Sequence, residues 1–177
     1  MRVMMRWVDR TFHFDLPIGL FPTVLERLRG APARLEDKLR PVPADIRTRR
    51  FEDSWSAQEH AGHLLDLDDL HTARLDDYRA GARVLRPADK QNRNTSEANH
   101  NARPLGEIRE GFRRGRGHFV ASLEGWDAAR LSDTALHPRL NQEMRVIDMA
   151  FFVAEHDDHH LARMTEILQR FEPSAKV

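Results

Sequence analysis

The sequence predicts an all-α protein, a four-helix bundle with long crossover connections. Three observations predict it. Apolar residues recur at spacings of three and four and seldom alternate. The helical stretches open and close on caps and breakers. Two long polar connections separate them, as in bundles whose helices are joined by crossovers. At 177 residues the chain is one ordinary domain with room for a real core, residues 1–15 forming an N-terminal extension and 172–177 a tail.

The first helix is expected from about Leu16 to Leu39, with Leu20, Val24, Leu28, Leu35 and Leu39 roughly in line. Gly30-Ala31-Pro32 predicts a kink or break, because proline has no amide to donate and clashes with the preceding turn. Pro41 and Pro43 end the segment. The second helix has the clearest start. Ser56-Ala57-Gln58-Glu59 reads as a capping box, with Trp55 in the position of a hydrophobic staple. It should run to about Arg79 and stop near Gly81, with Leu64, Leu67 and Leu70 on its buried face and His63 in the same stripe.

Residues Leu85 to Arg103 form a long polar connection with a short helix around Ser96 to Asn101. The third long helix starts near Pro104 and carries Ile108, Phe112, Phe119, Val120 and Leu123; Gly111, Gly115 and Gly117 weaken it. A second connection, Asp127 to about Glu143, contains Leu136-His137-Pro138-Arg139-Leu140. The fourth helix runs from about Met144 to Phe171, with Met149, Val153, His156, His160, Met164, Ile167 and Phe171 on one face.

Lys plus Arg equals Asp plus Glu, 28 against 28, which argues against a general nucleic-acid binder. The runs Arg47-Thr48-Arg49-Arg50 and Arg113-Arg114-Gly115-Arg116 are candidates for a local basic patch, although charge runs are usually solvated faces. There is no cysteine, so a metal would be held by histidine, carboxylate or water. The start lacks the apolar stretch of a signal peptide and no window is long enough to cross a bilayer; the expectation is a cytoplasmic protein without membrane contact.

His156 and His160, four apart on a helix, share one face and can aim two imidazoles at one cation. His63 is the expected third ligand of one divalent ion. The bland alternative is that the pair bonds to Asp or backbone groups. His159, turned by about a hundred degrees, is expected at the rim. His60 competes with His63, and His71 lies two turns beyond it. His13, His100, His118 and His137 read as surface or satisfied polar residues. Asp66, Asp68, Asp69, Asp76 and Asp77 read mostly as a solvated face paired with Arg74 and Arg79. No Glu-x-x-His, His-Glu-x-x-His, Gly-x-Ser-x-Gly or phosphate-cradling glycine loop is present, which disfavours di-iron, protease, esterase-elbow and nucleotide readings.

Trp55-Ser56-Ala57-Gln58-Glu59-His60-Ala61-Gly62-His63-Leu64 resembles the Trp-Ser-x-x-Glu-x-x-x-His-Leu signature of the DinB/YfiT-like metalloenzyme superfamily. Ala154-Glu155-His156-Asp157-Asp158-His159-His160-Leu161-Ala162 resembles the His-x-x-x-His segment of that family's last main helix. The resemblance implies a four-helix bundle of DinB/YfiT-like type. It implies one divalent metal on His63, His156 and His160, nickel or zinc first, with iron or manganese as further occupants. Relatives similar to thiol transferases or isomerases imply a small-molecule substrate and a low-molecular-weight thiol, and the superfamily implies a homodimer. The crossover Asp89 to Asn101 and His137-Pro138-Arg139 lie outside the signature.

A cation on three imidazoles would ionise a water or a thiol near neutral pH, so the expected function is a metal-dependent transferase or hydrolase attacking a small electrophile. Glu59, Asp66 or Asp157 could orient a ligand imidazole. Arg139 or Arg74 could hold an anionic group, against the alternative of surface salt bridges. The competing functions are a non-catalytic metal-binding or stress-response bundle and a bundle with no metal.

Overall fold

The computed structural model describes residues 4–89 and 91–171, so the expected tail 172–177 lies outside the described residues. Its elements are α1 (Phe21–Leu39), α2 (Ala44–Arg47), α3 (Ala57–Arg79), α4 (Arg93–Glu97), α5 (Leu105–Glu124), β1 (Thr134–His137), β2 (Gln142–Arg145) and α6 (Val146–Phe171). The four long helices make the bundle. Among the described residues no helix is long and apolar enough to cross a membrane.

α3 packs on α5 and α6, and α1 packs on the same two, so α1 and α3 oppose each other across the bundle. The buried apolar residues fall into two clusters, one at each end. One takes Val24 and Leu28 from α1, Leu75 and Tyr78 from α3, Phe119 and Leu123 from α5, and Met149 and Val153 from α6. The other takes Leu35 and Leu39, Ala61 and Leu64, Ile108 and Phe112, and Leu161 and Met164 from the same four helices. Reading which half of each helix enters which cluster gives the directions. α1 and α6 run one way; α3 and α5 run the other. The parallel neighbours α3 and α5 cannot be joined by a tight turn. The chain must return along a 23-residue helix, about 35 Å, which explains the long crossover of residues 80–104.

The α3 cap forms as its residues dictate. The Ser56 side chain accepts from the Glu59 amide at 3.1 Å, and the Ser56 amide donates to Glu59 at 2.8 Å. Trp55 meets His60, one turn inside, at 5.4 Å between ring centroids. Gly81, at φ +67°, ends the segment in a conformation that favours glycine.

Four expectations need correction. α1 begins at Phe21 with Pro22 in its first turn, not at Leu16; Ile18–Leu20 is a separate 3₁₀ turn. α1 also runs through Pro32, because Leu28 and Leu35 on either side are fully buried and packing overrides the local preference. The short crossover helix lies at Arg93–Glu97, followed by a 3₁₀ turn at His100–Ala102. The second connection contains an antiparallel hairpin, with Thr134 opposite Arg145 and His137 opposite Gln142. Val84 and Leu136 form an isolated parallel bridge from the crossover to this hairpin: the Leu85 amide donates to the Leu136 carbonyl at 3.0 Å, and the Leu136 amide donates to the Arg83 carbonyl at 2.9 Å.

The α5 glycines also differ from expectation. A Cβ on Gly111 would stand 3.0 Å from Leu65, and one on Gly115 would stand 3.0 Å from Asp68, so these two positions let α3 and α5 approach closely. Gly117 faces open space. Gly117→Ala should therefore raise stability by up to about 1 kcal/mol through helix propensity. Gly115→Ala should lower it, because Asp68 is held from its other side by Arg116 and cannot give way. Urea midpoints of the two variants check this; equal shifts would contradict it.

Candidate metal centre

Between the two apolar clusters lies a layer of polar side chains. α3 sends His63 into it and α6 sends His156 and His160, all three buried. The His156 and His160 rings are 4.4 Å apart between centroids, and His63 lies 4.7 Å from His160 and 5.3 Å from His156. One nitrogen from each lies within 4.8 Å of the other two. His160 Nε2 and His156 Nε2 are 3.1 Å apart. The i,i+4 geometry of α6 thus brings two rings together, and the packing of α6 on α3 adds the third.

A hydrogen-bond chain fixes the tautomer of His63. The Thr95 hydroxyl donates to Asp66 Oδ2 at 2.9 Å, so its oxygen is left to accept. His63 Nδ1 lies 3.0 Å from that oxygen and therefore carries the ring proton, leaving the Nε2 lone pair free. His100 Nε2, at 2.8 Å from the same Asp66 oxygen, completes the chain. His160 Nδ1 is 2.8 Å from His60 Nδ1. His60 is therefore a partner of His160, on the ring edge away from His156, rather than an alternative to His63.

Of the other residues expected to support the site, Asp66 acts on His63 through Thr95. Glu59 reaches no imidazole; it completes the α3 cap and pairs with Arg50. Asp157 turns away from the rings toward Arg116, which also bonds Asp68 at 2.9 Å. These three are almost fully buried, so Asp68 is not part of a solvated face and Arg116 is not part of a solvated run. Two carboxylates share one guanidinium in a dry core. Burial and the neighbouring charge of Asp157 push the Asp68 carboxyl up to about 7 against the pull of Arg116, and its Oδ2 has no partner among the described residues.

Several histidines differ from their expected places. His159 is buried beneath Trp7, 5.5 Å between ring centroids, not at the rim. His71, His100 and His137 are buried as well, while His13 and His118 are exposed. Arg74 is buried and, among the described residues, bonds the Arg86 carbonyl rather than a carboxylate. Thr95, His100 and Trp7 were not singled out by spacing. Their signal was indirect: a long polar crossover in a compact domain, and a tryptophan outside any helical stripe.

Gly62 explains how His100 enters. A Cβ at residue 62 would stand 2.1 Å from Cγ of the His100 ring. α3 therefore needs glycine there for the crossover to deliver His100 to Asp66. A cavity of about 230 Å³ lies beside the three histidines. Trp7, Trp55, Leu67 and Phe152 give it apolar walls, and His71 also faces it. Trp7 belongs to the N-terminal segment, which lies against the bundle; its ring is 5.0 Å from that of His156.

The imidazoles are neutral. Burial is the first cause in each case. It lowers His60 and His137 to about 3 and His63 to about 4, and holds His71, His156 and His160 well below their ordinary range. In an unfolded chain these groups titrate near pH 6.5 (about the model-peptide value), so below that pH the unfolded state takes up protons that the folded state refuses. Stability is full above that point and falls as pH drops, by up to about 1.4 kcal/mol per unit for each group. His159 is lowered to about 4 by burial as well, so seven imidazoles act in this direction, and the raised carboxyls of Asp68 and Asp157 act with the opposite sign. Metal-free protein should therefore lose melting temperature steeply below about pH 6.5; an unchanged melting temperature down to about pH 5 would contradict the neutral cluster. Gly62→Ala should displace His100 and destabilise by about 1–3 kcal/mol, as overpacking does, measured by denaturant unfolding.

No curated protein matches the chain. Among solved structures it is similar to YfiT from Bacillus subtilis, described as a probable metal-dependent hydrolase with an unusual four-helix bundle topology. That likeness has a TM-score of 0.80 at 16% identity and covers 94% of this chain and 95% of that one. It shows a shared fold. A family model described as the DinB superfamily matches residues 27–164, a span from within α1 into α6 that includes all three histidines. The chain belongs to the DinB superfamily.

Proposed function

We propose that this protein is a metal-dependent hydrolase that holds one divalent ion, nickel or zinc, on His63, His156 and His160. The observation that carries the reading is the convergence of three neutral, buried imidazoles at the edge of a cavity. The donor set fits such an ion. Thr95 leaves His63 Nε2 free, and two further nitrogens from α6 face each other at 3.1 Å. Among the described residues no carboxylate joins the three nitrogens, since Asp66 and Asp157 have other partners. Imidazole nitrogen suits borderline cations such as nickel and zinc better than hard ones.

A divalent ion with three neutral imidazoles keeps its double charge and an open position, and so makes a water or a thiol acidic near neutral pH. The chain's own residues do the rest. Thr95 and His60 hold the rings of His63 and His160 in place. Trp7, Trp55 and Phe152 wall the cavity and reduce its water content. Its volume, about 230 Å³, is below the usual range of ligand pockets, about 300–1,000 Å³. That favours one small electrophile with water as the nucleophile over an electrophile together with a bulky thiol cosubstrate.

Metal analysis of tag-free protein tests the site. About one divalent ion per chain is expected, and His160→Ala should lose it. Thr95→Val should keep the fold but weaken metal affinity about 10–100-fold, the usual effect of removing a group that orients a ligand imidazole. Hydrolysis of a panel of small esters and amides should follow metal content across these variants. Full metal retention in His63→Ala, His156→Ala and His160→Ala would remove the site. Stoichiometric metal with no turnover on any substrate would favour a non-catalytic metal-binding bundle.

A further inference from the structure

The same cavity carries a second chemical feature that the three histidines do not explain. Arg74 from α3 and Arg139 from the β1–β2 turn both line it. Arg74 is 2% exposed, and its Nε donates to the Arg86 carbonyl at 3.1 Å. Neither arginine has a carboxylate partner among the described residues. The acidic groups nearby are engaged elsewhere. Asp77 is gripped by the side chain and amide of Arg86, and Asp89, which also lines the cavity, accepts from the amides of Gln91 and Arg93 rather than pairing with either arginine. Arg139 lies against the faces of Trp7 and Phe152, at 5.9 and 5.8 Å from their centroids, and its Nη2 is buried without a hydrogen-bond acceptor among the described residues.

Burial of unpaired guanidinium is unfavourable, and two such groups near each other repel. The charges do sense each other. Arg74 is pushed down to about 10, first by burial, with Arg139 and Arg86 adding to it against Tyr78 and Asp77. His137 is depressed by burial and then by these same two cations, Arg74 and Arg139. A guanidinium presents a planar fork of donors that matches an oxyanion, and the match is strongest where water is excluded. A cavity with apolar walls, a three-imidazole cluster and two uncompensated cations suits a small molecule that is apolar in its body and anionic at one group.

We propose that Arg74 and Arg139 form an oxyanion-binding subsite for the substrate, taking a carboxylate or phosphate group of the small molecule whose reacting group meets the three-histidine cluster. The proposal deepens the hydrolase reading and rests on it for the identity of the ligand as a substrate, but anion binding itself needs no metal.

The experiment is calorimetric titration of chelator-treated, tag-free protein with phenylacetate, benzylphosphonate and the neutral isostere phenylacetamide. At least one of the two anions should bind about tenfold or more tightly than the amide, the gain of a charge-assisted pair in a dry site. Whichever anion is preferred identifies the group. Arg74→Met and Arg139→Met, which keep an unbranched apolar stem and remove the guanidinium, should each bring the anions to within about twofold of the amide. His160→Ala should keep the preference. Equal binding of anions and amide to wild-type protein would overturn the subsite, as would a preference that survives both arginine substitutions. If Arg74→Met fails to melt cooperatively, Arg139→Met, in the hairpin turn, decides alone. Because every arm is metal-free, loss of the anion preference leaves the metal site standing, and absence of metal in purified protein leaves the anion result standing.

Discussion

Burial of a polar layer halfway along the bundle is the constraint on which the rest of the structure depends. Apolar clusters close both ends, and a charge buried between them is costly unless it is neutralised or paired. Arg116 meets that condition for α5 by joining Asp68 of α3 to Asp157 of α6. Replacing such a triad with apolar residues is often tolerated, so its contribution lies less in net stability than in register. A slide of α5 by one turn would leave one guanidinium and two carboxylates unmatched in a dry core. The triad thus fixes the height of α6 against α3, and that height determines whether His63 meets His156 and His160.

The division of labour along α6 follows from helical angle. His156 and His160 share a face and turn toward His63. Asp157, one residue on, turns toward α5 and Arg116. Glu155 and Asp158 reach the opposite side, where Arg27 of α1 bonds both. Four consecutive positions therefore serve three neighbours. The segment is the most polar stretch of an otherwise apolar helix stripe because it is the point at which the bundle core changes from oil to chemistry.

Much of this was legible in the sequence, for a physical reason in each case. The four helices were readable because their apolar faces repeat every three or four residues, and the α3 start because Ser56 and Glu59 cap locally. The convergence of His63 with His156 and His160 was readable from a helical pair plus a motif. What was not legible depends on contacts between distant segments. Pro32 inside α1 is tolerated because of packing on both sides. The hairpin strands have four residues each, too short for an alternating pattern to stand out. Arg116 looked like one of a run of surface cations, and only its partners on two other helices show otherwise. Thr95 could not be found at all, since its role is to stand between a ring and a carboxylate that the crossover brings together.

The crossover links topology to chemistry. α3 and α5 run in the same direction, so the chain between them must pass back along the outside of the bundle and cross the level of the polar layer on its way. At that level it contributes Thr95 to His63 and His100 to Asp66. It also supplies Pro87, Ala88 and Asn92 to the cavity wall and bridges to the hairpin that carries Arg139. An up-and-down bundle with short turns would place its loops at the two ends, far from a site at mid-height. The parallel pair therefore does more than distinguish this bundle from others: it is what gives a buried cluster of imidazoles both an outer set of hydrogen-bond partners and a wall against which a substrate can lie.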